Sequence, residues 1–257
     1  MERIRVSDGV EIALHRFGGE PAGGHPPVML HHGFAADTGL NWVAPGVVAA
    51  LVAAGRSVLS VDARGHGKSD KPHDPAQYGE QRMARDLIEV FDHLGLERVD
   101  LAGYSMGAIV SLVTASLDQR IRRMVIGGIG GAVVERASGE TRFDGRGLAA
   151  AMRADDPSTI THPMARAFRA FAESTGADRF ALAAQAETVG RRQAIDAGAI
   201  TATSLVLVGD RDELAARPEV LAAALGGAEL RIVPGDHLGA VGAPEFAPAI
   251  VEFLARG

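Results

Sequence analysis

The stretch Val99-Asp100-Leu101-Ala102-Gly103-Tyr104-Ser105-Met106-Gly107-Ala108 decides how this chain is read. An apolar run leads into Gly103-Tyr104-Ser105-Met106-Gly107, and a small-residue run of helical character, Ala108 to Leu117, leads out of it. Strand, G-x-S-x-G, then helix is the context of a sharp, strained turn that lifts a serine hydroxyl above the end of a sheet. Side chains at Gly103 and Gly107 would collide with neighbouring backbone at so tight a bend. With 32 glycines in 257 residues the pentapeptide alone carries little weight. Its meaning depends on what surrounds it.

The length fits one large α/β domain with room for an inserted segment. Hydrophobic residues make up 47% and charged residues 23%, as in an ordinary globular protein. A net charge of -6 argues against a nucleic-acid surface. The absence of cysteine excludes disulfides, thiolate metal sites and a cysteine nucleophile. It fits a cytoplasmic protein. The N-terminus enters an alternating pattern at once and shows no signal-like apolar segment, and no apolar run is long enough to span a bilayer. The expected partner is a small molecule, with neither nucleic acid nor membrane. The oligomeric state is left open, a homodimer included.

Working outward from the turn, residues 2–6 and 10–17 alternate around Ser7-Asp8-Gly9 and predict a β-hairpin. Strands are predicted at 28–32, 57–61, 99–102, 122–129, 204–208 and 229–233, and helices at about 41–54, 77–94, 108–117, 214–225 and 244–255. Residues 132–198 hold helix-like segments without a convincing strand. The alternation implies a mostly parallel, doubly wound sheet with an N-terminal antiparallel hairpin. The core would comprise residues 1–131 and 199–257, and 132–198 would form a small helical lid.

Ligands on such sheets bind at the carboxyl ends of the strands. His32, Asp62, Ser105, Asp212 and His237 all fall at predicted strand ends. A serine hydroxyl is a weak nucleophile near neutral pH. It needs a base within hydrogen-bond reach, and the base needs a partner that fixes its tautomer and stabilises its protonated form. The order Ser105, then an acid at Asp210 or Asp212, then His237 supplies all three. His237 lies in the turn after the last strand; His31, His32, His66, His93 and His162 are the competing histidines.

Five pieces, His32-Gly33, Asp62-x-Arg64-Gly-x-Gly-x-Ser69, Gly103 to Gly107, Gly209-Asp210-Arg211-Asp212 and Gly235-Asp236-His237, make the chain resemble an α/β-hydrolase over nearly its whole length. The resemblance implies a serine nucleophile at Ser105 and a base at His237. It implies an acid after the strand that follows the lid, where the G-x-x-D spacing favours Asp212. It also implies oxyanion donors from the backbone of Phe34 and Met106, with His32 holding the turn that presents Phe34 and the Asp62–Arg64 segment bracing loops. No metal and no organic cofactor are implied. The activity implied is that of a carboxylic ester hydrolase acting on an ester, lactone or related acyl compound. Cofactor-free haloperoxidases (perhydrolases) and C–C hydrolases carry the same constellation, and a ligand-binding receptor with a residual triad is a rival of another class. Serine at 105, where an epoxide hydrolase or dehalogenase would have aspartate, argues against those two.

Other motifs fail on inspection. Gly67-Lys68-Ser69 resembles the tail of a phosphate-binding loop, but the first position of that motif is Asp62 rather than glycine. Gly128-Ile129-Gly130 begins a dinucleotide fingerprint that Val133 breaks. Strand alternation would turn His31 and His32 to opposite faces, which excludes a paired metal site. Trp42, Leu238, Met164 and Phe168 are the expected wall of a mainly apolar substrate pocket.

Overall fold

The computed structural model describes residues 1–19, 24–135, 145–189 and 195–256. Parts of the expected helical lid, 136–144 and 190–194, therefore lie outside the described residues. The strands are β1 (Glu2–Arg5), β2 (Glu11–Phe17), β3 (Val28–His31), β4 (Val58–Asp62), β5 (Val99–Tyr104), β6 (Ile121–Gly127), β7 (Thr203–Gly209) and β8 (Glu229–Val233). They form one eight-stranded sheet in the order β1-β2-β4-β3-β5-β6-β7-β8. β1 and β2 pair antiparallel, as do β2 and β4, and every other pairing is parallel. β3, β4 and β5 are buried at every position, as continuous apolar runs in a sheet covered on both faces must be.

The helices are α1 (Val47–Ala53), α2 (Glu80–His93), α3 (Met106–Leu117), α4 (Gly145–Arg153), α5 (Pro163–Thr175), α6 (Arg179–Ala186), α7 (Pro218–Ala224) and α8 (Phe246–Ala255). α2 buries Met83, Leu87, Val90 and Phe91, one stripe at helical spacing. It joins α3 and α7 in a core on one sheet face, while α1 and α8 cover the other. Alternation divides the strands between these cores: Met29 and Leu101 face the first, Leu30 and Ala102 the second. A third cluster joins α4, α5 and α6 to Ala35, with Phe34 packed against it. Among the described residues, the section between β6 and β7 contains no strand, and no helix is long and apolar enough to cross a membrane.

Two predicted helices are broken where proline and left-handed backbone coincide. The helix expected at 41–54 is split into a wide turn over Gly39–Val43 and α1, because Pro45 lacks an N–H and Gly46 adopts φ 83°. The helix expected at 214–225 is split into a turn over Glu213–Ala215 and α7, with Arg217 at φ 56° before Pro218. β6 stops at Gly127, before the expected Ile129, because Gly128 turns the chain at φ 66°.

Candidate active site

Ser105 is held in a conformation that a side chain rarely adopts, φ 53° and ψ −113°. Two close approaches impose it. A Cβ on Gly103 would lie 2.4 Å from the Gly107 carbonyl oxygen, and one on Gly107 would lie 2.1 Å from that of His31. The helix after the serine is thus pressed against the ends of β3 and β5. The Ser105 N–H donates to the Gly127 carbonyl at 2.8 Å, fixing the turn to β6.

Ser105 Oγ lies 2.9 Å from His237 Nε2, and His237 Nδ1 lies 2.9 Å from Asp212 Oδ2. An ionised carboxylate only accepts, so Nδ1 carries the proton and Nε2 is free to accept from the serine. The Asp212 side chain is fully buried and also accepts from the N–H groups of Leu214 and Ala215, so its oxygens are fixed before the histidine arrives. Of the two carboxylates left open by the sequence, Asp212 is the one at His237. Asp210 accepts from the Gly235 N–H at 2.8 Å, and the Arg211 N–H donates to the Gly235 carbonyl. These bonds tie the loop after β7 to the loop after β8. The Tyr104 hydroxyl donates to the His237 carbonyl at 2.7 Å, and its ring packs against the imidazole at 5.6 Å.

The Gly33–Phe34 turn adjoins the serine: a Cβ on Gly33 would lie 3.5 Å from Ser105 Cβ. The turn is gripped from both sides. The Gly33 N–H donates to Asn41 Oδ1 at 2.8 Å, and the Gly33 carbonyl lies 2.8 Å from His32 Nδ1. His32 Nε2 accepts from the Ala63 N–H, which leaves Nδ1 as the donor. A trans peptide directs its N–H opposite its carbonyl, so holding the Gly33 oxygen sets the direction of the Phe34 N–H. The Met106 N–H, at the first position of α3, has no acceptor within its own helix.

Burial pushes His31 and His66 down to about 3, with the neighbouring His32 adding to both shifts, and burial lowers His32 as well. β3 ends at His31, so the alternation expected through His32 is lost. The two rings stack at 5.8 Å instead of facing opposite ways. The Asp62 carboxyl is opposed by burial but held well below the usual range by His15, His32 and the N–H groups of Thr38 and Lys68. Arg64 is fully buried, paired through two nitrogens to Asp86 at 2.7 Å and through the third to Asp8 at 2.9 Å. Among the described residues, no group of three or more His, Asp or Glu is gathered to hold a metal.

A cavity of about 180 Å³ opens beside Ser105 and His237. Phe34, Met106 and Phe168 line it, together with Met83, Ile109, Leu148 and Gln185. Three expected pocket residues lie elsewhere. Trp42 is buried in the core with α1 and α8, because the turn over Gly39–Val43 points it inward. Leu238 is 49% exposed, in the turn that follows His237, and does not line the cavity. Met164 packs against the α4–α6 cluster but does not line the cavity. Of the residues that sequence reasoning passed over, Ile109 had a signal, being one helical turn beyond Ser105. Asn41, Tyr104 and Gln185 had none.

Residues 26–150 match the family model for the alpha/beta hydrolase fold. The structure of a hydrolase from Pseudomonas aeruginosa PA01 superposes with a TM-score of 0.78 at 28% identity, covering 99% of this chain and 98% of that one. The chain has the α/β-hydrolase fold. The enol-lactonase from Burkholderia xenovorans LB400 superposes at TM-score 0.73 and 26% identity, over 99% of this chain and 100% of that one. Epoxide hydrolase A of Mycobacterium tuberculosis is 36% identical over 109 residues, 42% of this chain and 32% of that protein. The chain spans a third to a half of the length of the first curated relatives it matches, 32% and 48%.

Proposed function

We propose that the protein is a serine hydrolase that cleaves a carboxylic ester, lactone or related acyl bond through an acyl-enzyme on Ser105. The observation that carries this is the hydrogen-bonded chain from Asp212 through His237 to Ser105, opening on an apolar cavity. Ser105 Oγ attacks the acyl carbon while His237 Nε2 takes its proton. Asp212 stabilises the imidazolium and keeps the ring in register. The negative charge on the former carbonyl oxygen is met by the N–H groups of Met106 and Phe34, each such donor contributing about 3 kcal/mol in a dry site. The intermediate collapses, and the alkoxide leaves with the proton from His237. Water then attacks the acyl carbon, gives a proton to His237, and Ser105 departs with that proton. Every proton is carried by His237, so the cycle calls for no cofactor.

The helices between β6 and β7 act in this reading as a lid, contributing Leu148, Phe168 and Gln185 to the cavity wall. The likeness to an enol-lactonase over full length favours including lactones in the substrate class. Epoxide opening is disfavoured by serine at position 105.

The test is intact mass after a fluorophosphonate probe, with p-nitrophenyl acetate turnover, on wild type and Ser105→Ala. A single adduct on wild type, none on the variant, and a loss of kcat of about 10⁴-fold or more are expected. Full ester turnover by Ser105→Ala would end the reading. A folded wild type with no adduct and no turnover would favour a ligand-binding protein.

A further inference from the structure

Helix α6 buries Ala181, Leu182, Ala183, Ala184 and Ala186, and among these apolar residues Gln185 is the one buried polar side chain. Gln185 is 5% exposed and lines the cavity beside Ser105. Its Nε2 faces two thioethers, Met106 Sδ at 2.7 Å and Met83 Sδ at 3.6 Å. Sulfur there can only accept, so in this conformation it is the nitrogen end of the amide that lies on that side. Its Oε1 is shut off from solvent and has no hydrogen-bond donor among the described residues. A buried acceptor without a partner is destabilising, and leucine or methionine would suit these surroundings better. The helix end carrying it is pinned, since Thr188 Oγ1 donates to the Gln185 carbonyl at 2.7 Å. The unsatisfied group thus stands on a fixed segment, in contact with the side chain of Met106, whose N–H faces the reacting oxygen in the proposed cycle.

We propose that Gln185 is a specificity-determining residue, and that the substrate's cavity-filling portion carries a hydrogen-bond donor, a hydroxyl or amide N–H, which Gln185 Oε1 accepts. The inference rests on the serine-hydrolase reading above. Rotation about the last side-chain bonds gives up the two weak N–H···S contacts and turns the amide oxygen into the cavity that the residue already lines. The donor then supplies the partner that the protein withholds. Purely aliphatic acyl compounds fill the same space but leave the amide unsatisfied, and discrimination against them follows from that difference.

The experiment compares p-nitrophenyl esters of ω-hydroxy acids, three to six carbons long, and their amide-bearing analogues, each beside the ester in which methyl replaces the donor. Wild type and Gln185→Met are measured, with Gln185→Leu in place of the latter if it fails to fold. At one chain length or more, wild type is expected to favour the donor-bearing ester by about tenfold in kcat/KM, the scale of one hydrogen bond. In the variant that ratio falls to near one, and the melting temperature holds or rises. A wild type without preference at any length, or a ratio unchanged in the variant, overturns the proposal. Binding of the same pairs to Ser105→Ala and to Ser105→Ala/Gln185→Met, by calorimetry, reads the preference without turnover. Absence of acyl turnover in wild type therefore counts against the hydrolase reading. An affinity ratio unchanged by Gln185→Met counts against this one.

Discussion

The two ends of β5 are built on opposite rules. At its amino end Asp100 is fully buried and doubly satisfied: Arg56 donates to it, and Arg122 donates at 2.9 and 2.7 Å. Arg56 is itself tied to the carbonyls of Leu254 and Pro26. Beyond the carboxyl end, Ser105 sits at positive φ, and Gln185 and Asn41 each keep a buried polar atom without a partner among the described residues. At the amino end the buried carboxylate is fully paired, although Arg56 Nε has no partner among the described residues; the other end combines a positive φ with two unmet side chains. The paired buried charges lie at the end of the strand away from Ser105, and most of the unmet side-chain capacity named here lies beside it.

The hardest way to break this contrast is at Asp100. Asp100→Ala leaves two arginines around an empty buried position, and stability is expected to fall by about 3–5 kcal/mol, read by urea unfolding. The specific activity of the folded fraction stays near wild type, because the damage lies at the far end of the strand.

Acid attacks the site end through its histidines. His31 and His66 stay neutral in the folded protein down to about 3, whereas an ordinary histidine takes a proton near 6.5. Between those values the unfolded chain binds more protons. Stability is therefore full above pH 6.5 and is lost as pH falls toward 3, at about 1.4 kcal/mol per pH unit for each histidine. Unfolding free energies measured from pH 6.5 down to 4.5 are expected to show uptake of at least two protons, from His31 and His66, with His32 adding to them. His66→Phe removes one of them, and an unchanged slope in that variant would contradict the assignment.

A smaller effect sharpens the contrast at the Gly33 turn. Asn41→Ala removes the acceptor of the Gly33 N–H, and kcat for an activated ester is expected to drop about tenfold with KM little changed, since the loosened donor acts on the transition state. Equal loss in KM would instead mark Asn41 as a ground-state contact. Smallest is Ser105→Gly. It abolishes turnover in the proposed cycle but relieves the positive φ, and a gain of about 1 kcal/mol in unfolding free energy is expected.

Much of the architecture was legible before the structure. Runs such as Val99 to Ala102 are short, apolar and bounded by turn residues, and local periodicity records which face of an element meets the core. The misses have equally local causes. Pro45-Gly46 and Arg217-Pro218 interrupt patterns that are otherwise helical. The failed alternation at His31-His32 comes from a strand that stops one residue early.

The sequence by itself determined the alternation of strands and helices, and with it the collection of Ser105, His237 and two candidate carboxylates at one edge of a sheet. The tertiary structure alone decided that Asp212 stands at the histidine while Asp210 ties two loops together. It also decided that Trp42 belongs to the core, and that Asn41 and Gln185 meet the site. The reason is range. Burial periodicity is written in residues three or four apart. The hydrogen bond between Ser105 and His237 joins positions 132 residues apart, and the contact of Gln185 with Met106 joins positions 79 apart. Such pairings depend on how crossovers and loops pack, which no local pattern records.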